Sequence, residues 1–191
     1  MTTREAIIDA AVLLFNEKGY HATSMRAIAE QVEIEKPSLY HHFNSKEDIL
    51  LAILEIGMTH LIKELERIVA LEIDPISKLR RAIGAHARII AENPQGAAVF
   101  LREDRGLSDS YLREYVLKRD HFESLFRKIL IQGIEEGCFR AVDVTIAVQA
   151  VLGMVNWMTR WYRPDGRLSA GEIADHFTDL FLTGLFQPSS T

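Results

Sequence analysis

The sequence predicts an all-α fold. Apolar residues recur at helical spacing along almost the whole chain. No stretch alternates apolar and polar residues as a half-buried strand does. Gly, Pro, Asn and Asp fall at the breaks between periodic segments. Ile7, Ala10, Ala11, Leu14 and Phe15 follow the i, i+3, i+4, i+7, i+8 pattern, so residues 4–18 form an amphipathic helix that Gly19 ends. Thr23 or Ser24 caps a second helix over about 25–32, with Ile28, Ala29 and Val32 facing inward. Pro37 suits the first turn of a third helix over 36–43, where its missing N–H costs nothing. Ser45 caps a fourth helix over about 45–70, and Asp48 three residues on completes a capping box.

Asp74-Pro75 opens a fifth helix that stops near Asn93-Pro94, because a residue before proline avoids the helical region. A sixth is expected over roughly 95–103 and a seventh over about 108–136, ended by Gly137. Asp143 opens an eighth that runs to about Tyr162; the turn Arg163-Pro164-Asp165-Gly166 follows, and a ninth runs from about 170 to 186. About nine helices result, arranged as a small N-terminal head, 1–48, and a larger body, 49–191.

The bulk numbers exclude several classes. The chain has 191 residues, 48% of them hydrophobic, which is enough for a sizeable core. A net charge of −5 argues against coarse attraction to nucleic acid or anionic lipid. The longest uncharged apolar run, Ile49–Leu54, is far too short to span a bilayer. One cysteine, Cys138, excludes an intramolecular disulfide, and a cytoplasmic setting is expected. No HExxH, GxSxG, P-loop or dinucleotide fingerprint is present. His86, His121 and His176 are scattered without metal-ligand spacing, so no enzyme, metal site or cofactor is expected.

The head carries the functional signal. Only Glu33-Ile34-Glu35 separates the second helix from the third, the spacing of a helix-turn-helix. At about 100° per residue, Leu39 and Phe43 face inward while Pro37, Ser38 and His41 point outward, with Tyr40 on the flank. Such a helix enters the DNA major groove by its N-terminal residues. The expected DNA-binding set is Ser24, Arg26, Lys36, Pro37, Ser38, Tyr40, His41, His42 and Lys46. Polar members would reach base edges or phosphates, and Pro37 offers apolar contact to a thymine methyl. Lys46 would reach a phosphate at the start of the fourth helix.

The segment from Thr23 to Leu50 resembles the DNA-binding head of the TetR family of bacterial transcription regulators. The resemblance rests on Thr23 and Ser24, Ile28-Ala29, and the run Leu39-Tyr40-x-x-Phe43-x-x-Lys46-x-x-Ile49. It implies a cytoplasmic homodimer, usually a repressor, that reads a near-palindromic double-stranded operator with half-sites roughly 34–36 Å apart. Two positions depart from the pattern. Glu33 stands where the family usually has glycine, and Glu35 where it often has Ser or Thr. Residues 1–48 also hold five Lys and Arg against eight Asp and Glu, a net −3. Weak non-specific binding and a modest salt slope follow. The rival expectation is a helical interaction protein with a degenerate head.

In this family the last two helices form a four-helix bundle across a two-fold axis. The dimer interface implied here is Val148, Val151, Leu152 and Val155 with Ile173, Phe177, Leu180 and Phe181. The run from Trp161 to Ser169 is similar to the C-terminal segment of regulators of fatty-acid and lipid degradation that respond to acyl-CoA thioesters. An apolar tunnel with cations for phosphates is then expected. Phe100, Tyr111, Tyr115, Phe122 and Trp157 are the apolar candidates, and Arg105 and Arg160 the cationic ones.

Overall fold

A computed structural model of the chain describes residues 2–102 and 107–185. Among them it is all-helical, as expected, with ten segments: α1 (Thr3–Lys18), α2 (Met25–Gln31), α3 (Lys36–His42), α4 (Lys46–Val69), α5 (Pro75–Glu92), α6 (Pro94–Arg102), α7 (Asp109–Glu135), α8 (Val144–Asn156), α9 (Met158–Trp161) and α10 (Ala170–Leu185). The single-turn α9 arises because the helix expected to run from 144 to 162 is interrupted at Trp157.

Local chemistry sets the ends. A capping box joins Thr2 and Glu5 at the start of α1. Asp74 accepts the Ser77 N–H at 2.9 Å, and Asp143 accepts those of Thr145 and Ile146 at 2.9 and 3.1 Å. Ser169 and Glu172 box the start of α10: the Ser169 N–H donates to the Glu172 carboxylate at 2.8 Å, and Glu172 N–H returns a bond to Ser169 Oγ at 3.3 Å. Gly137, at φ 73°, turns the chain after α7 so that Phe139 folds back over Gly133.

The chain divides into two compact units, residues 1–58 with 94–118, and residues 59–93 with 119–191. In the first, α1 packs on α2 and α6, and α2 on α3. Ile7, Ala11, Phe15, Ile28, Leu39 and Phe43 form its core with the apolar face of early α4. In the second, α5 lies against α10 and α8. Arg80 of α5 reaches Asp175 at 3.4 Å and Asp179 at 2.8 Å, one turn apart on α10. These groups are solvent-exposed, so the pairs contribute about 1 kcal/mol or less. The buried Lys78 ammonium is held by neutral acceptors, Val69 O and Gln132 Oε1, each at 3.0 Å. No described helix is long and apolar enough to cross a membrane.

Candidate functional site

The head folds as its spacing dictates. Ser24 Oγ caps α2 by accepting the Ala27 N–H at 3.1 Å. The Ile34 N–H returns to Ala29 O at 3.0 Å and closes the turn. Glu33 sits at φ 58°, the left-handed conformation that glycine adopts more easily. Leu39 and Phe43 are buried beneath α3, while Lys36, Pro37, Ser38, Tyr40 and His41 stand in solvent. His42 is half-buried, its ring edge-on to that of His41 at 5.6 Å. The Lys36 ammonium lies 5.7 Å from the Tyr40 ring centre, one turn along. The Arg4 guanidinium covers Phe43 at 4.9 Å.

Two of the expected cations are engaged by the protein itself. Arg26 is exposed and pairs with Glu30 one turn on, at 2.7 Å. Lys46, expected at a phosphate, turns inward. Its ammonium donates to Tyr20 O and Thr23 O at 2.6 Å each and to His21 O at 3.3 Å, and it lies 4.3 Å from the Tyr20 ring centre. It thereby ties the loop that presents α2 to the start of α4. Lys36 and the polar side chains of α3 form the outward face.

At the start of α4, Ser45 Oγ accepts the Asp48 N–H at 3.0 Å, and the Asp48 carboxylate accepts the Asn44 N–H at 2.9 Å. The other oxygen of Asp48 accepts the Tyr111 hydroxyl. Beside it Glu47 accepts the Ser108 N–H, and Glu55 pairs with Lys118. The acidic edge of α4 thus bonds to the segment from Ser108 to Lys118.

The expected effector residues fall into separate groups. In the first unit the rings of Phe100 and Tyr115 meet edge-on at 5.8 Å, and Tyr111 is committed to Asp48. In the second, Phe122 is buried with Phe126 and His86, whose ring is edge-on to Phe122 at 5.4 Å. Trp157 is 63% exposed and Arg160 lies 6.0 Å from its ring centre, so this pair occupies the surface of that unit. Arg105 lies outside the described residues.

Sequence spacing alone places His86 among scattered histidines. It is 3% exposed, and burial pushes its pKa down to about 4 despite a hydrogen bond with Asn156, so the ring is neutral at ordinary pH. Its place on the α5 stripe with Leu79, Ala82, Ile83 and Ile90 is the signal that locates it.

The residues of the expected dimer stripe divide by exposure. Val148, Val151 and Val155 have no exposed surface, and Leu152 and Ile173 are buried. All five pack inside the single chain, and Val148, Val151 and Val155 leave no surface for a partner. Phe177 and Phe181 are half-buried, and Leu180 is 70% exposed. The apolar surface left over is a second stripe carrying Ile146 at 66% exposure, with Ala150, Gly153 and Trp157. Arg140, Val142, Ile146, Ala150, Met154, Leu180, Phe181 and Gly184 line a groove of about 490 Å³ there. The Arg140 guanidinium is fixed at its edge by Gly184 O, at 2.7 Å.

Residues 7–53 match the model of the bacterial regulatory proteins of the tetR family, and residues 72–185 that of the tetracyclin repressor-like C-terminal domain. The HTH-type transcriptional repressor KstR2 of Rhodococcus jostii is 30% identical over 187 residues, 97% of this chain and 92% of that protein. The crystal structure of PfmR, a TetR family transcriptional regulator of Thermus thermophilus, superposes with a TM-score of 0.87 at 42% identity, covering 95% of this chain and 99% of that one. AibR, crystallised with isovaleryl coenzyme A and operator DNA, superposes with a TM-score of 0.85 at 28% identity, covering 98% of this chain and 100% of that one.

Proposed function

The chain belongs to the TetR family of transcriptional regulators, and from that premise we propose that it is a homodimeric repressor released from a palindromic operator by an acyl-CoA. It is a DNA-binding regulator, not an enzyme. The head, 1–48, reads the operator, and the remainder, 49–191, binds the effector and dimerises.

The observation that carries the reading is the pairing of a buried Leu39–Phe43 seam with an exposed face of Lys36, Pro37, Ser38, Tyr40 and His41 on one short helix. That helix follows α2 across a turn whose geometry Glu33 adopts at φ 58°. Polar groups on the first turns meet base edges, Pro37 meets a methyl, and Lys36 with Tyr40 reaches phosphate. The exposed Glu33 and Glu35 oppose non-specific attraction, so affinity rests on these few contacts.

For the partner copy, the exposed stripe of Ile146, Ala150, Trp157 and Leu180 supports a two-fold interface. For the effector, the likeness to AibR and the Trp161–Ser169 run support a CoA thioester. The effector must bind best to the state in which the heads are wrongly spaced, because equal affinity for both states shifts nothing.

Salt-titrated footprinting on DNA upstream of the protein's own gene tests the reading. A protected near-palindrome that octanoyl-CoA or isovaleryl-CoA releases is the expected result. Indifference to every genomic fragment at low ionic strength, with small molecules removed, overturns it.

A further inference from the structure

We propose that Tyr111 is a positioning residue for operator recognition. Its hydroxyl, acting through the Asp48 carboxylate, holds the turn on which α3 ends. The inference rests on the reading of α3 as the helix that meets DNA.

Three bonds join residues 108–118 to the first half of α4. The Ser108 N–H donates to Glu47, the Tyr111 hydroxyl donates to Asp48, and the Lys118 ammonium pairs with Glu55. Among these three, the Tyr111 bond is the one that runs on into the chain between α3 and α4. The other Asp48 oxygen accepts the Asn44 N–H at 2.9 Å, and the Asp48 N–H donates to Ser45 Oγ at 3.0 Å. Asn44 directly follows Phe43, the extended residue that ends α3 at φ −144° and ψ 126°. The buried Leu39 and Phe43 decide which face of α3 turns inward. Apolar burial is non-directional, however, so it leaves the tilt of the helix loosely set. Hydrogen bonds are directional. At the start of α3, Glu35 makes no side-chain cap bond. The directional side-chain restraint on α3 therefore lies at its exit, in Asp48.

Tyr111 stands on a framework that belongs with the head. Residues 94–118 share one compact unit with residues 1–58. The Asn16 side chain of α1 donates to Gln95 O of α6 at 2.9 Å. The Phe100 ring covers Gly57 of α4 so closely that a Cβ there would stand 3.4 Å from it. The same ring meets Tyr115 edge-on at 5.8 Å. The segment that reads the operator thus depends on side chains of α6 and α7, well beyond residue 48. Base-edge bonds demand exact placement, whereas attraction to phosphates tolerates tilt. Loss of the Tyr111 hydroxyl should therefore weaken specific binding and spare non-specific binding.

The test uses the full-length protein, the duplex it protects in footprinting, and a scrambled duplex of the same length and composition. Fluorescence anisotropy is read at about 25 °C, where loss of one hydrogen bond leaves a domain of ordinary stability folded. Tyr111→Phe is expected to bind the operator about tenfold more weakly and the scrambled duplex as the wild type does. Lys118→Met cuts a neighbouring α4–α7 link that does not enter the turn, and should change operator affinity by less than about twofold. Hydrogen exchange at the Asn44 amide should quicken in Tyr111→Phe and not in Lys118→Met. Asp48→Asn removes the charge on which both bonds end and carries the same comparison where Tyr111→Phe does not fold. In the Asp48→Asn background, Tyr111→Phe should weaken operator binding no further. Undiminished operator affinity in Tyr111→Phe, an equal loss on both duplexes, an equal loss in Lys118→Met, or additive losses with Asp48→Asn each overturn the inference and leave the repressor reading standing. A wild-type protein that protects no duplex overturns both.

Discussion

The Tyr111 hydroxyl donates to the Asp48 carboxylate, whose other oxygen accepts the Asn44 N–H at 2.9 Å. Tyr111 stands in the first turn of α7, and Asn44 lies two residues past the end of α3. Asp48 therefore links the start of α7 to the exit of α3. Partial burial raises its pKa, but the bonds from Tyr111, Asn44 and Ser45 outweigh it and hold the carboxylate below its ordinary value of 3.8. A group depressed in this way stabilises the fold above its unfolded pKa, and the contribution is lost as pH falls through the lower folded value. Tyr111→Phe is expected to cost about 1–2 kcal/mol at pH 7 in urea unfolding. The deficit should shrink as pH drops below about 4. A deficit constant from pH 7 to pH 2.5 would assign the loss to packing instead.

The two lysines of the head are expected to behave differently. Lys36 is exposed beside Tyr40, whereas the Lys46 ammonium is spent on the carbonyls of Tyr20, His21 and Thr23. Lys36→Ala should weaken operator binding and reduce the slope of log affinity against log salt by about 1. Lys46→Met should weaken binding by disordering the loop before α2, lower stability by about 1–3 kcal/mol, and leave that slope unchanged. Fluorescence anisotropy at four salt concentrations, with thermal unfolding of each variant, checks both. A slope reduced by one unit in Lys46→Met would place that ammonium on a phosphate in the complex.

Glu33 holds φ 58° without the freedom of glycine. A non-glycine residue there costs on the order of 1 kcal/mol, while glycine also widens the unfolded ensemble and returns part of the gain. Glu33→Gly is expected to raise stability by about 0.5 kcal/mol. It should also tighten operator binding at low salt by removing an acid from the exposed turn before α3. Chemical unfolding and anisotropy measure the two effects. A destabilised variant would contradict the strain argument.

The head was legible because its signals are local. Ser24, Pro37 and the Ser45–Asp48 box act within four residues, so sequence spacing locates them. Glu33 stands out through the resemblance, which implies glycine at its place, and it takes φ 58°. Lys46 was not legible: its partners lie 23 to 26 residues upstream and are backbone carbonyls, which no side-chain pattern reveals. Which of the expected interface residues stay exposed was not legible for another reason. Periodicity finds the most apolar stripe of a helix but does not say whether the same chain or a second one covers it. On α8 the chain's own core takes Val148, Val151 and Val155, leaving Ile146 and Ala150 outside. His86 was missed because a histidine carries no weight in a hydrophobic pattern, although it stands in register with Leu79 and Ile90.

That distinction gives a paired test of assembly. Leu180 is 70% exposed and lines the groove with Ile146 and Phe181, whereas Val151 has no exposed surface. Leu180→Glu would place a charge in a two-fold interface twice over. It should shift the protein toward monomer, weaken operator binding sharply, and change the unfolding of the monomer by less than about 0.5 kcal/mol. Val151→Ala removes two buried methyl groups and should cost about 1–3 kcal/mol of stability at every protein concentration. Its dimerisation constant should change little. Analytical ultracentrifugation from 0.1 to 50 µM (about the range in which such interfaces dissociate), with unfolding at two concentrations, separates the outcomes. If Leu180→Glu stays dimeric while Val151→Ala dissociates, the partner acts on the inner stripe, and the assignment of faces on α8 and α10 is reversed.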